Sequence, residues 1–221
     1  MKKRILAIVL SIMLVVCALP FTFAQVSAAA PAVEIIDGQR TVFLSGFGRM
    51  NYQNETKTAF RTFEEALSAL GTEGGRICFS GTLNLAEWQD TPGRGPITFE
   101  GVGNKVSGSK LDFGAKTEVH FLGDTYVSNL MLVTQKDVPI VTNGHVFASV
   151  GNIECNYTEK FVDGGHNTIT YNAPFVFAVG NYSGESAGEV TLSAGHYSLV
   201  AAGSLGPSNV SGTTNFNIAG G

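Results

Sequence analysis

The sequence predicts an all-β fold, a parallel β-helix (solenoid) with a short capping helix near its N-terminal end. Three observations carry this. A short pattern recurs, as Arg76-Ile-Cys-Phe-Ser-Gly81, Pro96-Ile-Thr-Phe-Glu-Gly101 and Glu118-Val-His-Phe-Leu-Gly123, with looser copies at Val146, Ile169, Val190 and Phe216. The first apolar residues, starting from Ile77, are spaced 20, 22, 27, 23, 21 and 26 residues apart, a period that marks stacked units, each burying its apolar face on the next. Within a copy, strand alternation sends Ile77 and Phe79 to one face and Arg76, Cys78 and Ser80 to the other. Helical periodicity is confined to one segment ahead of the repeats.

The first 28 residues read as a leader. Lys2-Lys3-Arg4 is a basic start, residues 5–24 are apolar and broken by Pro20, and Val26-Ser27-Ala28 suits signal-peptidase cleavage. Cleavage after Ala24 is a second option, and an uncleaved anchor is the structural rival, because about 20 apolar residues span a bilayer. Cys17 lacks the small preceding residue of a lipoprotein signal. Three cations leave with the leader, taking the formal net charge from −4 to −7. A mildly acidic exported chain with few Lys and Arg argues against nucleic-acid binding. After cleavage nothing points to a membrane.

Residues 31–75 form an N-terminal unit. Val33-Glu-Ile-Ile36 and Thr41-Val-Phe-Leu-Ser45 read as strands. Thr62-Phe-Glu-Glu65 is a capping box that opens a helix with Phe63, Ala66, Leu67 and Leu70 on one face, ended by Gly71. This helix covers the first unit, which otherwise exposes strand edges and apolar surface. Residues 76–221 are repeat units, with the expectation that they continue beyond the chain end. The inward column reads Ile77/Phe79, Ile97/Phe99, Val119/Phe121, then Ile169/Tyr171 and Val190/Leu192. The glycine ending each copy is expected to turn a corner at positive φ. Secondary strands are expected at residues 110–113, 130–133, 175–179 and 197–200. Asn129 is expected at an inward corner, bonding backbone groups. Cys78 and Cys155 are expected to be free thiols, since three strand spacings of about 4.8 Å hold them farther apart than the roughly 7 Å a disulfide allows.

These residues resemble a known group. Thr41-Val-Phe-Leu-Ser45, Phe60-Arg-Thr-Phe-Glu-Glu-Ala-Leu67 and Gly74-Gly-Arg-Ile-Cys-Phe-Ser-Gly-Thr82 look like the opening of pectate-lyase-like right-handed parallel β-helix proteins. The tail from Glu189 resembles repeats in large exported surface proteins of Gram-positive-type bacteria. The resemblance covers most of the mature chain and implies the fold. It does not imply one activity, because the fold hosts enzymes and non-catalytic adhesins.

Enzymes of this resemblance are expected to carry stacked Asp residues with Arg, Lys or His nearby. The outward columns show none: Cys78, Thr98, His120, Thr170 and Thr191 run down the centre, flanked by Arg76, Glu118, Thr168 and Glu189, and by Ser80, Glu100, Asn172 and Ser193. No catalytic, metal or cofactor residue is carried over, and no cofactor is expected. The nearest to a site is Glu100, Glu118 and His120, expected on adjoining units, where acids beside a His suit acid–base work; a solvated face explains the same residues. The Gly-rich turn 163–166 and the residues His145 and His196 read as surface features. Trp88, Tyr52, Tyr126, Tyr157 and Tyr182 sit in loop-like segments and suit sugar stacking or packing on the flank. Asn54, Asn156, Asn181 and Asn209 head Asn-x-Ser/Thr sequons, which a bacterial leader leaves unused.

The expected function is a non-catalytic module of a secreted or cell-surface bacterial protein, structural, adhesive or contacting cell-wall or host glycans, with self-association through the last unit as a further partner reading. The alternative is a polysaccharide lyase or glycoside hydrolase acting on acidic polysaccharide.

Overall fold

In a computed structural model, the structure describes residues 29–116, 118–134, 139–151 and 153–155. Beyond these it describes the strand segments 159–162, 168–171, 175–179, 189–192, 197–202 and 215–218. The leader, the turn 163–166, His196, Tyr157, Tyr182 and the sequons at Asn156, Asn181 and Asn209 lie outside the described residues.

Among the described residues the chain is mostly β-strand with one short α-helix, arranged in parallel and mixed sheets that form no closed barrel. The N-terminal unit holds β1 (Glu34–Ile36), β2 (Gln39–Leu44), β3 (Arg49–Tyr52), β4 (Glu55–Thr58) and helix α1 (Phe63–Leu70). Then come β5 (Gly75–Phe79), β6 (Gly81–Asn84), β7 (Ile97–Gly101), β8 (Ser109–Asp112), β9 (Val119–His120), β10 (Thr125–Ser128), β11 (Leu130–Val133) and β12 (Pro139–Val141). The remainder are β13 (Phe147–Ser149), β14 (Ile153–Cys155), β15 (Glu159–Val162), β16 (Thr168–Tyr171), β17 (Phe175–Val179), β18 (Glu189–Leu192), β19 (Tyr197–Ala202) and β20 (Asn215–Ile218).

An eight-stranded sheet runs β1-β2-β5-β7-β10-β13-β18-β20, and two four-stranded sheets run β14-β11-β8-β6 and β19-β17-β12-β9. From β7 to β12 the chain visits the three sheets in strict rotation. Every pairing in them is parallel except β1 with β2. Two antiparallel hairpins, β3–β4 and β15–β16, stand outside the rotation.

This rotation corrects the expected stack. Ile77 pairs with Phe99, and Gly75 with Ile97, so neighbouring copies are offset by two residues. The third copy leaves the large sheet: Val119 sits in β9 beside Ile140, and the true neighbour of β7 is β10, with Thr125 beside Ile97 and Val127 beside Phe99. The fourth copy begins inward at Phe147, not Val146, and Phe147 pairs with Val190. Ile169 and Tyr171 belong to the β15–β16 hairpin and not to the stack. The reason is physical. An apolar pair followed by a corner satisfies any strand buried on one face, so the motif alone does not say which of three sheets receives it.

The core threads between the sheets. Val42, Ile77, Phe79, Ile97, Phe99, Leu111, Val119, Phe121, Val127, Leu132, Phe147, Val190 and Leu192 belong to one buried cluster. Helix α1 joins it as expected. Thr62 accepts from the Glu65 N–H, the Glu65 side chain accepts from the Thr62 N–H, Gly71 caps the C-terminal end, and Phe63, Ala66 and Leu70 are buried. Leu67 packs against the cluster from a half-buried position. Phe63 meets Trp88 edge-on at 5.6 Å and Phe99 at 6.1 Å, while Phe121 stacks on Phe147 at 5.6 Å. Trp88 is therefore a packing residue, not an exposed platform. The secondary strands fall close to their expected places, as β8, β11, β17 and β19.

The corners differ from expectation. Gly81 has φ 83°, whereas Gly101 is required for a close approach: a Cβ there would lie 2.1 Å from the Asn129 carbonyl oxygen. Asn129 takes the left-handed conformation itself, at φ 52°, and is exposed rather than inward. Cys78 and Cys155 are both buried, with no disulfide between them, and they lie in different sheets.

Gly101→Ala is expected to destabilise the protein by more than 2 kcal/mol, because the obstructing atom is backbone and cannot yield cheaply (about 1–3 kcal/mol for ordinary overpacking). Gly108→Ala, where a Cβ meets nothing within 4 Å, should be near neutral. Denaturant unfolding of the two variants checks the contrast.

Candidate functional site

The parallel register builds two outward rows on the eight-stranded sheet. One carries Thr41, Arg76, Thr98 and Tyr126, and the other Phe43, Cys78, Glu100 and Ser128, one residue per strand from β2 to β10. Half of this face is covered. The β3–β4 hairpin turns at Gln53 and Asn54, both at positive φ, the mark of a tight hairpin turn. Met50, Tyr52 and Ala59 then close over Phe43 and Cys78. Tyr52 is thus buried in a strand, contrary to its expected place in a loop.

The uncovered half is an open groove of about 630 Å³ whose walls include Arg40, Arg76, Thr98, Glu100, Tyr126 and Ser128. Arg76 forms its floor. Its Nε donates to Thr41 Oγ1 at 3.2 Å, Nη1 to Glu100 Oε2 at 3.2 Å, and Nη2 to the Ile36 carbonyl at 3.1 Å. Asp37 adds a longer pairing at 3.7 Å. Alternation marks Arg76 as outward-facing, but its burial and its partners on β1, β2 and β7 follow from strand pairings that alternation does not give. At the rim Arg40 pairs with Glu73 at 2.9 Å, and its Nε is buried without an acceptor. Tyr126 lies in β10, half-buried. Burial first, then Asp124 and Glu189, pushes its phenol above the ordinary value, so it remains an O–H donor near neutral pH.

A second feature fixes the groove from behind. Asp90 and Arg94, in the β6–β7 connection, form a buried pair with side chains 1% and 7% exposed, Nε to Oδ1 at 2.6 Å and Nη2 to Oδ2 at 2.7 Å. Arg94 also donates to the Gly95, Gly123 and Asp124 carbonyls and to Thr125 Oγ1, while Asp90 accepts the Thr91 and Leu122 N–H groups. The bidentate pair satisfies a corner 30 residues away and holds β10 beside β7. Thr125, an inward polar residue in the core, is satisfied by this pair.

The expected acid–base cluster does not assemble. Glu100 is in the large sheet on Arg76, whereas His120 lies in β9 of a four-stranded sheet with Glu118 just ahead of it. Glu118 and His120 do meet, Oε2 to Nε2 at 3.0 Å. Asn143 Nδ2 reaches His120 Nδ1 at 3.3 Å and donates to the Phe121 and Val141 carbonyls. The carboxylate engages Nε2, and the Asn143 amide lies against Nδ1. A general base needs one of these nitrogens facing substrate. His145 approaches Asp124 at 3.7 Å. Among the described residues, no group of three or more His, Cys, Asp and Glu could hold a metal ion.

The chain matches no known protein family, no curated protein and no solved structure.

Breaking the buried pair with Asp90→Asn should cost about 3–5 kcal/mol, since a buried guanidinium loses its counter-charge; urea unfolding measures it. The Cys78 thiol is pushed up to about 12 by burial, with Glu100 adding to it. A thiol raised in the folded state keeps its proton while the unfolded chain loses it, so the stability involved is intact below about pH 9 and falls as pH rises towards 12. Unfolding free energies across that window should show a decline that Cys78→Ala reduces.

Proposed function

We propose that the chain is a right-handed parallel β-helix module of an exported bacterial surface protein, and that the open half of its large sheet contacts glycans without cleaving them. The rotation of the chain through three parallel sheets supports the fold reading, together with the resemblance of the opening segments to pectate-lyase-like proteins. The leader supports export and a secreted or cell-surface location.

The observation that carries the binding reading is the outward row Arg76–Thr98–Tyr126 with Glu100 and Ser128 beside it. Successive strands, about 4.8 Å apart, present hydroxyls, a carboxylate and an aromatic ring along one line. A groove of this size with a few fixed polar groups suits a small ligand or a polymer segment, and a polymer of hydroxylated rings offers matching donors, acceptors and apolar faces. Glu100 is held against Arg76, and His120 lies in another sheet against Glu118, so the two do not form one acid–base site. These placements favour binding over the lyase or hydrolase alternative.

Titration calorimetry against soluble cell-wall and host glycan fragments is expected to show binding that Tyr126→Ala weakens roughly tenfold, or about 1.4 kcal/mol, with folding intact by circular dichroism. Equal affinity in wild type and variant would remove the groove from the account. Release of unsaturated or reducing ends from any fragment would replace the binding reading with the enzymatic one.

A further inference from the structure

A separate surface lies at the N-terminal end and shares no lining residue with the groove. The turn between β2 and β3 puts Phe47 into solvent, 88% exposed. It is the most exposed large apolar side chain among the described residues. Beside it, Gly48 sits at φ +73°, and a Cβ there would fall 3.2 Å from Arg61 Nε and 3.4 Å from Nη2. The bare glycine is what lets the Arg61 guanidinium lie against the turn, next to Phe47. Arg49 follows immediately and is exposed.

These two arginines are uncommitted, unlike their neighbours. Lys57 is paired with Glu34 at 3.0 Å and Glu55 at 2.9 Å. Glu65 accepts the Arg61 and Thr62 N–H groups in the capping box, and Glu64 is the remaining acid of the groove. Among the described residues Arg49 and Arg61 form no ion pair. Ala29, Ala30 and Pro31 line the same groove, of about 1410 Å³, as Phe47 and Arg49. The chain thus enters its fold at this patch, and a short step earlier in the sequence lies the apolar run 5–24 behind Lys2, Lys3 and Arg4.

We propose that this end of the molecule docks on an anionic lipid bilayer, with Phe47 in the interface and Arg49 and Arg61 on lipid phosphates. An exposed aromatic between guanidinium groups is the chemistry of a membrane-interface contact: the ring takes the headgroup boundary and each arginine takes a phosphate in bidentate fashion. The chain's net negative charge opposes any general attraction to such a surface. The contact is local, and acids beyond a Debye length of about 8–10 Å are screened from it. One ring and two cations bind weakly alone, and the neighbouring apolar run supplies the proximity that makes them count, during export or as a retained anchor. Docking at this end leaves the large sheet's open groove free, and the inference stands whether or not that groove binds glycans.

The test uses the full chain with Phe47→Trp, read against the wild-type protein, whose one tryptophan is Trp88. In vesicles of phosphatidylcholine mixed with phosphatidylglycerol, the added emission should shift to the blue and be quenched by bromine-labelled lipid. Adding Arg49→Ala and Arg61→Ala should return it to its value in solution, and the Lys versions of both should restore most of the shift. Emission unchanged by the mixed vesicles would overturn the proposal. So would equal quenching in pure phosphatidylcholine, which the leader alone would produce, and so would the same blue shift from soluble dextran sulfate without vesicles, which would mark a polyanion site instead.

Discussion

The parallel register of β5, β7 and β10 is the constraint on which the rest of the molecule depends. It puts Phe99 between Ile77 and Val127 on the inward face, and Thr98 between Arg76 and Tyr126 on the outward one. Because side chains alternate along a strand, slipping one strand by a single residue would send its apolar set to solvent and dissolve the outward row at once. Burial enforces this register from inside. The Asp90–Arg94 pair enforces it from the side, by tying the connection ahead of β7 to the corner ahead of β10 through fixed hydrogen bonds. Core and groove are two faces of the same pairing, so changes to the core should be felt in the groove.

The N-terminal unit adds a second constraint of a different kind. Helix α1 seals the cluster with Phe63, Ala66 and Leu70, while the β3–β4 hairpin seals part of the opposite face over Phe43 and Cys78. What the hairpin leaves open is the groove, and what its turns leave bare is Phe47. Both candidate surfaces are defined by where covering elements stop. The hairpin is accordingly a functional boundary as well as a lid on apolar surface.

Local features were legible in the sequence, and long-range ones were not. The capping box at Thr62 and Glu65 is settled within four residues, and the structure shows both of its hydrogen bonds. Alternation placed Ile97 and Phe99 inward, since strand parity needs no partner. The β3–β4 hairpin escaped because its second strand, Glu55–Thr58, is wholly polar and so lacks an apolar face; the turn pair Gln53-Asn54 was the available signal. The placement of Val119 failed because the motif fits any sheet and the spacing misled: Val119 follows Ile97 by 22 residues, as Ile97 follows its partner Gly75, whereas the strand that joins the sheet begins 28 residues on, at Thr125. The contacts of Arg76 with Ile36 and Glu100, of Arg94 with Asp124 and Thr125, and of His120 with Asn143 were illegible for a common reason. Each depends on partners brought near by folding, and for the same reason Glu100 parted from Glu118 and His120 when their strands went to different sheets.

Cross-linking decides the register most directly. In a background with Cys78 and Cys155 replaced by serine, Thr98→Cys combined with Tyr126→Cys should form a disulfide readily, because the two residues are paired on adjacent strands, about 4.8 Å apart and within disulfide reach. Thr98→Cys combined with His120→Cys should stay reduced under the same oxidation. The opposite outcome, a bond to position 120 and none to position 126, would mean that the repeats stack as the sequence motif alone suggests, and the outward row of Arg76, Thr98 and Tyr126 would not exist.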